Sequence, residues 1–289
     1  MKKKSIFTQK CVVIAVFFFI TACSKNDYNL ASQAQDKNAN SLKTAENAHQ
    51  NLTFNNGDTL LNVNYESGTL NSNITGIIAT HASASDAAYM TGSPGTYAIA
   101  HKVNRTDSAY YSAGAYRSEA DADNVTNARY LPGEERRYEF SVLLKDWESY
   151  TSPNPAFTDN IFQLKETAGS TIRLGVKRNT LYLWQQNDPQ VELISDVMPY
   201  SNQWIDFRID VKWAKDNTGY INYYVCLPGE YSYTLKQSFP NSITYNGTGT
   251  GGQHGYLKWG IYREAKATSA APVTRIAYHD NIRVIQLPL

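Results

Sequence analysis

Cysteine is nearly absent from this 289-residue chain: there are 3, and two of them, Cys11 and Cys23, fall at its very start. Only Cys226 is left for the body of the protein, and one thiol cannot close an internal bridge, so a disulfide-stapled fold is excluded. Cys226 is expected to be a buried strand residue. Net charge is nearly absent as well, with 27 Lys plus Arg against 26 Asp plus Glu. Such a balance gives no basic face able to displace counterions from phosphates, so nucleic acid is not an expected partner, and any anionic partner must be met by a local patch. Metal-ligand spacing is missing too: His49, His81, His101, His254 and His279 are scattered, with no His-x-His, Cys-x-x-Cys or His-Glu-x-x-His. No metal or cofactor is expected for the chemistry, while a structural Ca²⁺ held by loop carbonyls and carboxylates stays open. No amphipathic helix of any length and no internal repeat is found.

What is present points to β structure. Apolar residues make up 42% of the chain, enough for a sizeable core, and 21 Tyr dominate an aromatic content of 12%, the residue type that favours pleated surfaces.

The first residues read as an address. Lys2, Lys3 and Lys4 precede the apolar run Cys11 to Ile20, which is too short to span a bilayer as a helix and has the order of a signal peptide. Ile20-Thr21-Ala22-Cys23 resembles the bacterial lipobox, so residues 1–22 are expected to be a lipoprotein signal peptide and Cys23 the lipidated N-terminus. Ordinary cleavage nearby, with Cys23 incidental, is the competing reading. Ser24-Lys25-Asn26-Asp27 looks like the short signal that sends lipoproteins of the Bacteroidetes type to the outer surface. Residues 23–58, rich in Asn, Gln, Ser, Lys and Ala, cannot offset their ordering entropy and are expected to form a flexible tether. The localisation that follows is an exported lipoprotein, on the outer-membrane surface or secreted, with a lipid anchor to the membrane.

Residues 59–289 show no second shift of composition and are expected to form one domain. Tyr138, Phe140, Val142 and Leu144 alternate, as do Ile172, Leu174 and Val176, and Ile205, Phe207, Ile209, Val211 and Trp213. The last series puts Asp206, Arg208, Asp210 and Lys212 on the opposite face. Pro132-Gly133, Asn154-Pro155, Asn217-Thr218-Gly219, Pro228-Gly229 and the Gly-rich stretch from Gly247 to Gly255 separate the runs. The expected fold is all-β, an antiparallel jelly-roll sandwich of the concanavalin-like kind, with one concave sheet face open to solvent.

Three segments place polar groups opposite apolar ones, so that they can converge on one groove. In Tyr116-Arg117-Ser118-Glu119, Arg117 can hold a carboxylate with two parallel hydrogen bonds while Glu119 orients it; an exposed ion pair has the same pattern. In Ile161-Phe162-Gln163-Leu164-Lys165, Phe162 and Leu164 enter the core and Gln163 and Lys165 face the groove. In Tyr256-Leu257-Lys258-Trp259-Gly260-Ile261-Tyr262-Arg263, Leu257, Trp259 and Ile261 are the core series, Tyr256, Lys258 and Tyr262 the groove series, and Gly260 leaves space for a ligand.

In this order the three segments resemble those of the jelly-roll polysaccharide lyases: alginate lyases carry an Arg-Ser/Thr-Glu, a Gln-x-His and a Tyr-x-Lys-x-Gly-x-Tyr segment, and heparin and glucuronan lyases share the architecture. Tyr65-Glu66-Ser67-Gly68 and Tyr278-His279-Asp280-Asn281-Ile282-Arg283 look like the first and last strands of such domains. Where the alginate pattern has His, this chain has Lys165. Ulvan lyases of this type, in which a Lys base paired with a Tyr acid is expected, are the nearest resemblance.

The resemblance implies β-elimination on a uronate. Arg117 and Gln163 would neutralise the carboxylate, Lys165 would take the C5 proton, and Tyr262 would protonate the leaving oxygen. Glu119, Lys258, Tyr256, Arg263 and His101 complete the expected substrate-binding set, and His81 or His101 can line the groove as a spare base or be structural. Lys102, Arg105, Arg173, Lys177, Arg178 and Arg263 suit a sulfated, carboxylated polymer, or else form a solvated charged face. The expected partner is an anionic polysaccharide, ulvan before glucuronan, heparin-like or alginate chains, and the protein is expected to act as a monomer. The rival reading is a non-catalytic surface glycan-binding lipoprotein, with Trp147 and Trp184 as stacking platforms for sugar rings.

Overall fold

The computed structural model describes residues 57–150, 158–166, 169–185, 190–247, 253–264 and 272–287. The expected signal peptide, Cys23, nearly all of the tether, the Asn154-Pro155 turn and most of the Gly-rich stretch lie outside the described residues.

Strands follow one another along the chain as β1 (Thr59–Val63), β2 (Ala88–Thr91), β3 (Ala98–Asn104), β4 (Tyr111–Ser112), β5 (Ala115–Asp121), β6 (Glu135–Lys145), β7 (Thr158–Glu166) and β8 (Gly169–Lys177). The series continues as β9 (Thr180–Gln185), β10 (Val191–Ile194), β11 (Trp204–Lys212), β12 (Gly219–Cys226), β13 (Thr234–Ser242), β14 (Tyr256–Glu264) and β15 (Thr274–Gln286). They build two antiparallel sheets. One has the order β13-β12-β11-β6-β15-β3-β2 with β1 paired to β15, and the other β10-β9-β8-β7-β14-β5-β4. The chain crosses from one sheet to the other between β3 and β4, on both sides of β6, between β10 and β11, and on both sides of β14, as a sandwich requires.

Alternation explains the packing. Tyr138, Phe140, Val142 and Leu144 of β6, Ile172, Leu174 and Val176 of β8, and Ile205, Phe207, Ile209 and Val211 of β11 are all buried. Phe140 stacks on Phe162 of the opposite sheet with ring centroids 3.8 Å apart. Burying side chains of this size contributes about 1.5–3 kcal/mol each, so the interleaved apolar faces hold the two sheets together. On the other face of β11, Asp210 is buried and accepts hydrogen bonds from Arg137 (2.8 Å) and Arg208 (3.0 Å), so the polar series stands opposite the core series as the alternation implied. Cys226 ends β12, buried, its thiol pushed up to about 11 first by desolvation.

Two expectations are corrected. Tyr65-Glu66-Ser67-Gly68 is the turn after β1 and no strand: Tyr65 and Gly68 both have positive φ (55° and 69°), and the Gly68 N–H donates to the Tyr65 carbonyl at 2.8 Å. Tyr65 is buried and its hydroxyl accepts from Trp259 Nε1 at 2.8 Å, so the turn is tied into the core. Trp147, too, is buried and stacks under the Arg275 guanidinium, which removes it as a sugar platform.

Candidate active site

The three polar segments lie on adjacent strands, with β14 paired to β5 on one side and to β7 on the other. Lys258 stands in register with Gln163 and Asp121, and Tyr262 with Arg117 and Asn160. Phe162, Leu164, Leu257, Trp259 and Ile261 face the core, which turns Gln163, Lys165, Lys258 and Tyr262 onto the outer face. Gly260 serves a purpose other than the expected one. Its φ is +129°, and a Cβ there would meet the Ser118 carbonyl oxygen at 2.3 Å, so glycine is required by the close approach of β5 at a bulge, not by a ligand.

A cavity of about 310 Å³ opens on this face, lined by Ala113, Arg117, Gln163, Lys165, Ser170, Arg173, Lys258 and Tyr262. Arg117, Gln163, Lys165, Lys258 and Tyr262, drawn from strands far apart in sequence, therefore meet at one place. Beneath them Glu119, buried, accepts a hydrogen bond from the Gln163 amide and one of 3.1 Å from the Lys258 ammonium, with Arg117 Nη1 at 3.7 Å. Ser170 donates to the other end of the Gln163 amide. Arg117 donates to the Ala113 carbonyl (3.1 Å) and lies 4.7 Å over the Tyr262 ring. Its Nε–H is buried and has no partner among the described residues. An unpaired buried donor of this kind is costly unless a ligand accepts from it.

Lys165 is half-buried and makes no side-chain hydrogen bond or ion pair among the described residues. Burial pushes its ammonium below the ordinary lysine range, and Lys258 and Arg117 push in the same direction, against the opposing pull of Glu119. The neutral amine is therefore easier to reach here than on an exposed lysine.

Several expected groove residues stand elsewhere. Glu119 lies below the cavity, where it orients Arg117, Gln163 and Lys258. His101 is fully buried: it shares parity on β3 with Ile99 and Val103, contacts the Ala79 carbonyl at 3.2 Å and packs edge-on against His279 with centroids 5.3 Å apart. Desolvation lowers its pKa to about 4. Arg263 continues the core series of β14 and is buried in an ion network with Asp159, which Arg275 joins at 3.3 Å. Tyr256, in register with Lys165, lies outside the cavity lining, its phenol pushed up to about 12 first by burial and then by Asp123 and Asp121. Of the six basic residues named for a sulfated polymer, only Arg173 lines the cavity; Lys102 pairs with Asp86 and Arg178 lies over Tyr150.

The sequence reading missed Ser170, for which no pattern gave a signal, and two histidine-carboxylate pairs. His81 pairs with Asp121 and His254 with Asp123 at 2.7 Å, the former next to Lys258 in register. Among the described residues no group of three or more His, Cys, Asp or Glu is placed to hold a metal ion.

The chain is thus a two-sheet jelly-roll sandwich with a basic cavity on one outer face. A family model described as polysaccharide lyase matches residues 64–283, and the chain belongs to that family. No curated protein matches it. Among solved structures it is similar to an endo-β-1,4-glucuronan lyase from the fungus Trichoderma reesei, at 18% identity over 73% of this chain and 92% of that one, TM-score 0.53. It is also similar to a PL-14 alginate lyase from Aplysia kurodai, at 11% identity over 79% and 99%, TM-score 0.50, and to an alginate lyase from Klebsiella pneumoniae, at 13% identity over 68% and 84%, TM-score 0.50. At these identities the likeness is one of fold.

Proposed function

We propose that this polysaccharide lyase cleaves a uronate-containing, sulfated polymer by β-elimination, with ulvan ahead of glucuronan, heparin-like and alginate chains. The observation that carries the reading is the meeting of an unpaired, depressed-pKa Lys165, the buried unpartnered Nε–H of Arg117 and the Tyr262 phenol around one cavity.

In this reading Arg117 and a free N–H of Gln163 bind the C6 carboxylate and stabilise the charge that develops as the C5–H bond breaks. The C5 proton passes to the neutral Nζ of Lys165, the electron pair forms the C4=C5 double bond, and the C4–O bond to the neighbouring sugar breaks. Tyr262 gives its phenolic proton to the departing oxygen. Lys165 leaves the step as ammonium and Tyr262 as phenolate, and exchange with solvent restores both. Glu119 does not touch the sugar; it keeps Gln163 and Lys258 in position.

The test is absorbance near 235 nm on mixing the protein with a panel of uronate polysaccharides. Elimination creates an unsaturated uronate that absorbs there, whereas a protein that only binds glycans gives no signal. A rise on ulvan that exceeds the rise on glucuronan, heparin and alginate supports the substrate order. A flat trace on every polymer overturns it.

The address carried by residues 1–27 supports the further proposal that the enzyme is exported and tethered through Cys23, placing the lyase where large polymers are met.

A further inference from the structure

The row of outer-face residues through the cavity continues beyond it. Lys258 on β14 is in register with Gln163 on β7, Gln163 with Arg173 on β8, and Arg173 with Trp184 on β9. On β9 Leu181 and Leu183 enter the core, so Tyr182 and Trp184 share the outer face with Arg173, and all three are partly exposed. Tyr182 and Trp184 lie with ring centroids 5.8 Å apart. The Arg173 guanidinium lies 5.6 Å from the Trp184 ring, lines the cavity, and has no hydrogen bond or ion pair among the described residues. An arginine beside an aromatic ring keeps its donor fork pre-organised and free for a carboxylate or sulfate.

We propose that Arg173, Trp184 and Tyr182 form a flanking subsite for a second anionic sugar of the polymer. The pyranose ring stacks on Trp184 beside Tyr182, and a sulfate or carboxylate on that sugar is held by the Arg173 fork. The proposal rests on the reading that the cavity takes the uronate to be cleaved, and adds the direction of the chain: across the strands, along this row. Neighbouring strands are about 4.8 Å apart, so Trp184 lies roughly 10 Å from Gln163. That separation suits a sugar one to two units along from the cleaved one. Aromatic rings offer a large, stiff contact surface at small entropic cost, and a charged fork at the rim selects among polymers.

The subsite is tested by binding and turnover together. In affinity electrophoresis through gels containing ulvan, Lys165→Ala protein, unable to turn over, should be retarded; adding Trp184→Ala should abolish most of the retardation and adding Trp184→Phe should preserve it. In the 235 nm assay Trp184→Ala should raise KM for ulvan roughly tenfold, about 1.4 kcal/mol of binding, with kcat changed far less. Arg173→Gln should weaken retardation by ulvan more than by chemically desulfated ulvan if the fork holds sulfate, and equally on both if it holds carboxylate. Unchanged retardation and KM in Trp184→Ala, or failure of Trp184→Phe to restore them when the variant melts like wild type, overturns the subsite. Absorbance in the wild type without any Trp184 effect leaves the elimination reading standing and removes the subsite. Trp184-dependent retardation without absorbance on any polymer does the reverse.

Discussion

Lys258 and Glu119 form a buried ion pair, Nζ to Oε2 at 3.1 Å, and Lys258 lines the same cavity as Lys165. Lys258 is also the largest charge effect holding the Lys165 ammonium below its ordinary range, and Glu119 opposes it. Replacing Lys258 by Met removes the repelling cation and leaves the Glu119 carboxylate to favour the ammonium, so the pKa of Lys165 must rise. Since the base has to be neutral, the acidic limb of the kcat/KM profile should move to higher pH and the rate at neutral pH should fall. A limb that stays in place, or moves to lower pH, would remove Lys165 from the role of base.

Lys165→Ala and Tyr262→Phe should each lower turnover by roughly two or more orders of magnitude, because each deletes a proton-transfer partner. Neither side chain is part of the core, so thermal midpoints should stay close to that of the unmodified protein. Lys165→Arg should be as inactive as Lys165→Ala, since a guanidinium stays protonated. Substantial activity in Lys165→Arg would reduce Lys165 to a clamp for an anionic group.

Glu119 is the shared acceptor of Gln163 and Lys258. Glu119→Ala strands a buried ammonium, and breaking one side of such a pair costs about 3–5 kcal/mol. Urea titration should show that loss, and the double variant Glu119→Ala/Lys258→Met should recover part of it, because no uncompensated charge is left. Additive losses would mean that the two side chains are not coupled.

Acid should destabilise the fold in a defined window. His101 titrates at about 4 and His279 well below its ordinary value, in both cases first because of desolvation. In the unfolded chain both return to about 6.5, so the unfolded state binds more protons as pH falls. The stability these neutral rings contribute is fully present above about 6.5 and is lost progressively toward the folded-state value of about 4. The His101 shift alone is on the order of 3 kcal/mol. Melting temperatures measured between pH 7.5 and 4.5 should fall, and should fall less steeply in His101→Gln.

Metabolic labelling with a radiolabelled fatty acid in a bacterial host that lipidates exported proteins should mark the protein, and Cys23→Ala should abolish the label. Equal labelling of the two would show that Cys23 is not the attachment point.

Much of this molecule is written in local pattern. Period-two alternation identified β6, β8 and β11 and turned Phe162, Leu164, Leu257, Trp259 and Ile261 inward, because a pleated strand sends successive side chains to opposite faces whatever surrounds it. The same rule, applied strictly, excludes His101 and Arg263 from the groove: one shares parity with Ile99 and Val103, the other with Trp259 and Ile261. What alternation cannot contain is which strands become neighbours. Strand pairing is a long-range choice, and it alone brings Arg117, Gln163 and Tyr262 together and lays Arg173 beside Trp184. The turn at Tyr65, the bulge that makes Gly260 obligatory and the placement of Glu119 beneath three donors likewise depend on backbone approaches between segments far apart in sequence. The polar faces of the three segments that line the candidate cavity were therefore legible in the sequence, whereas Ser170 and the exclusion of Tyr256 from the lining were decided by which strands pair and how closely they approach.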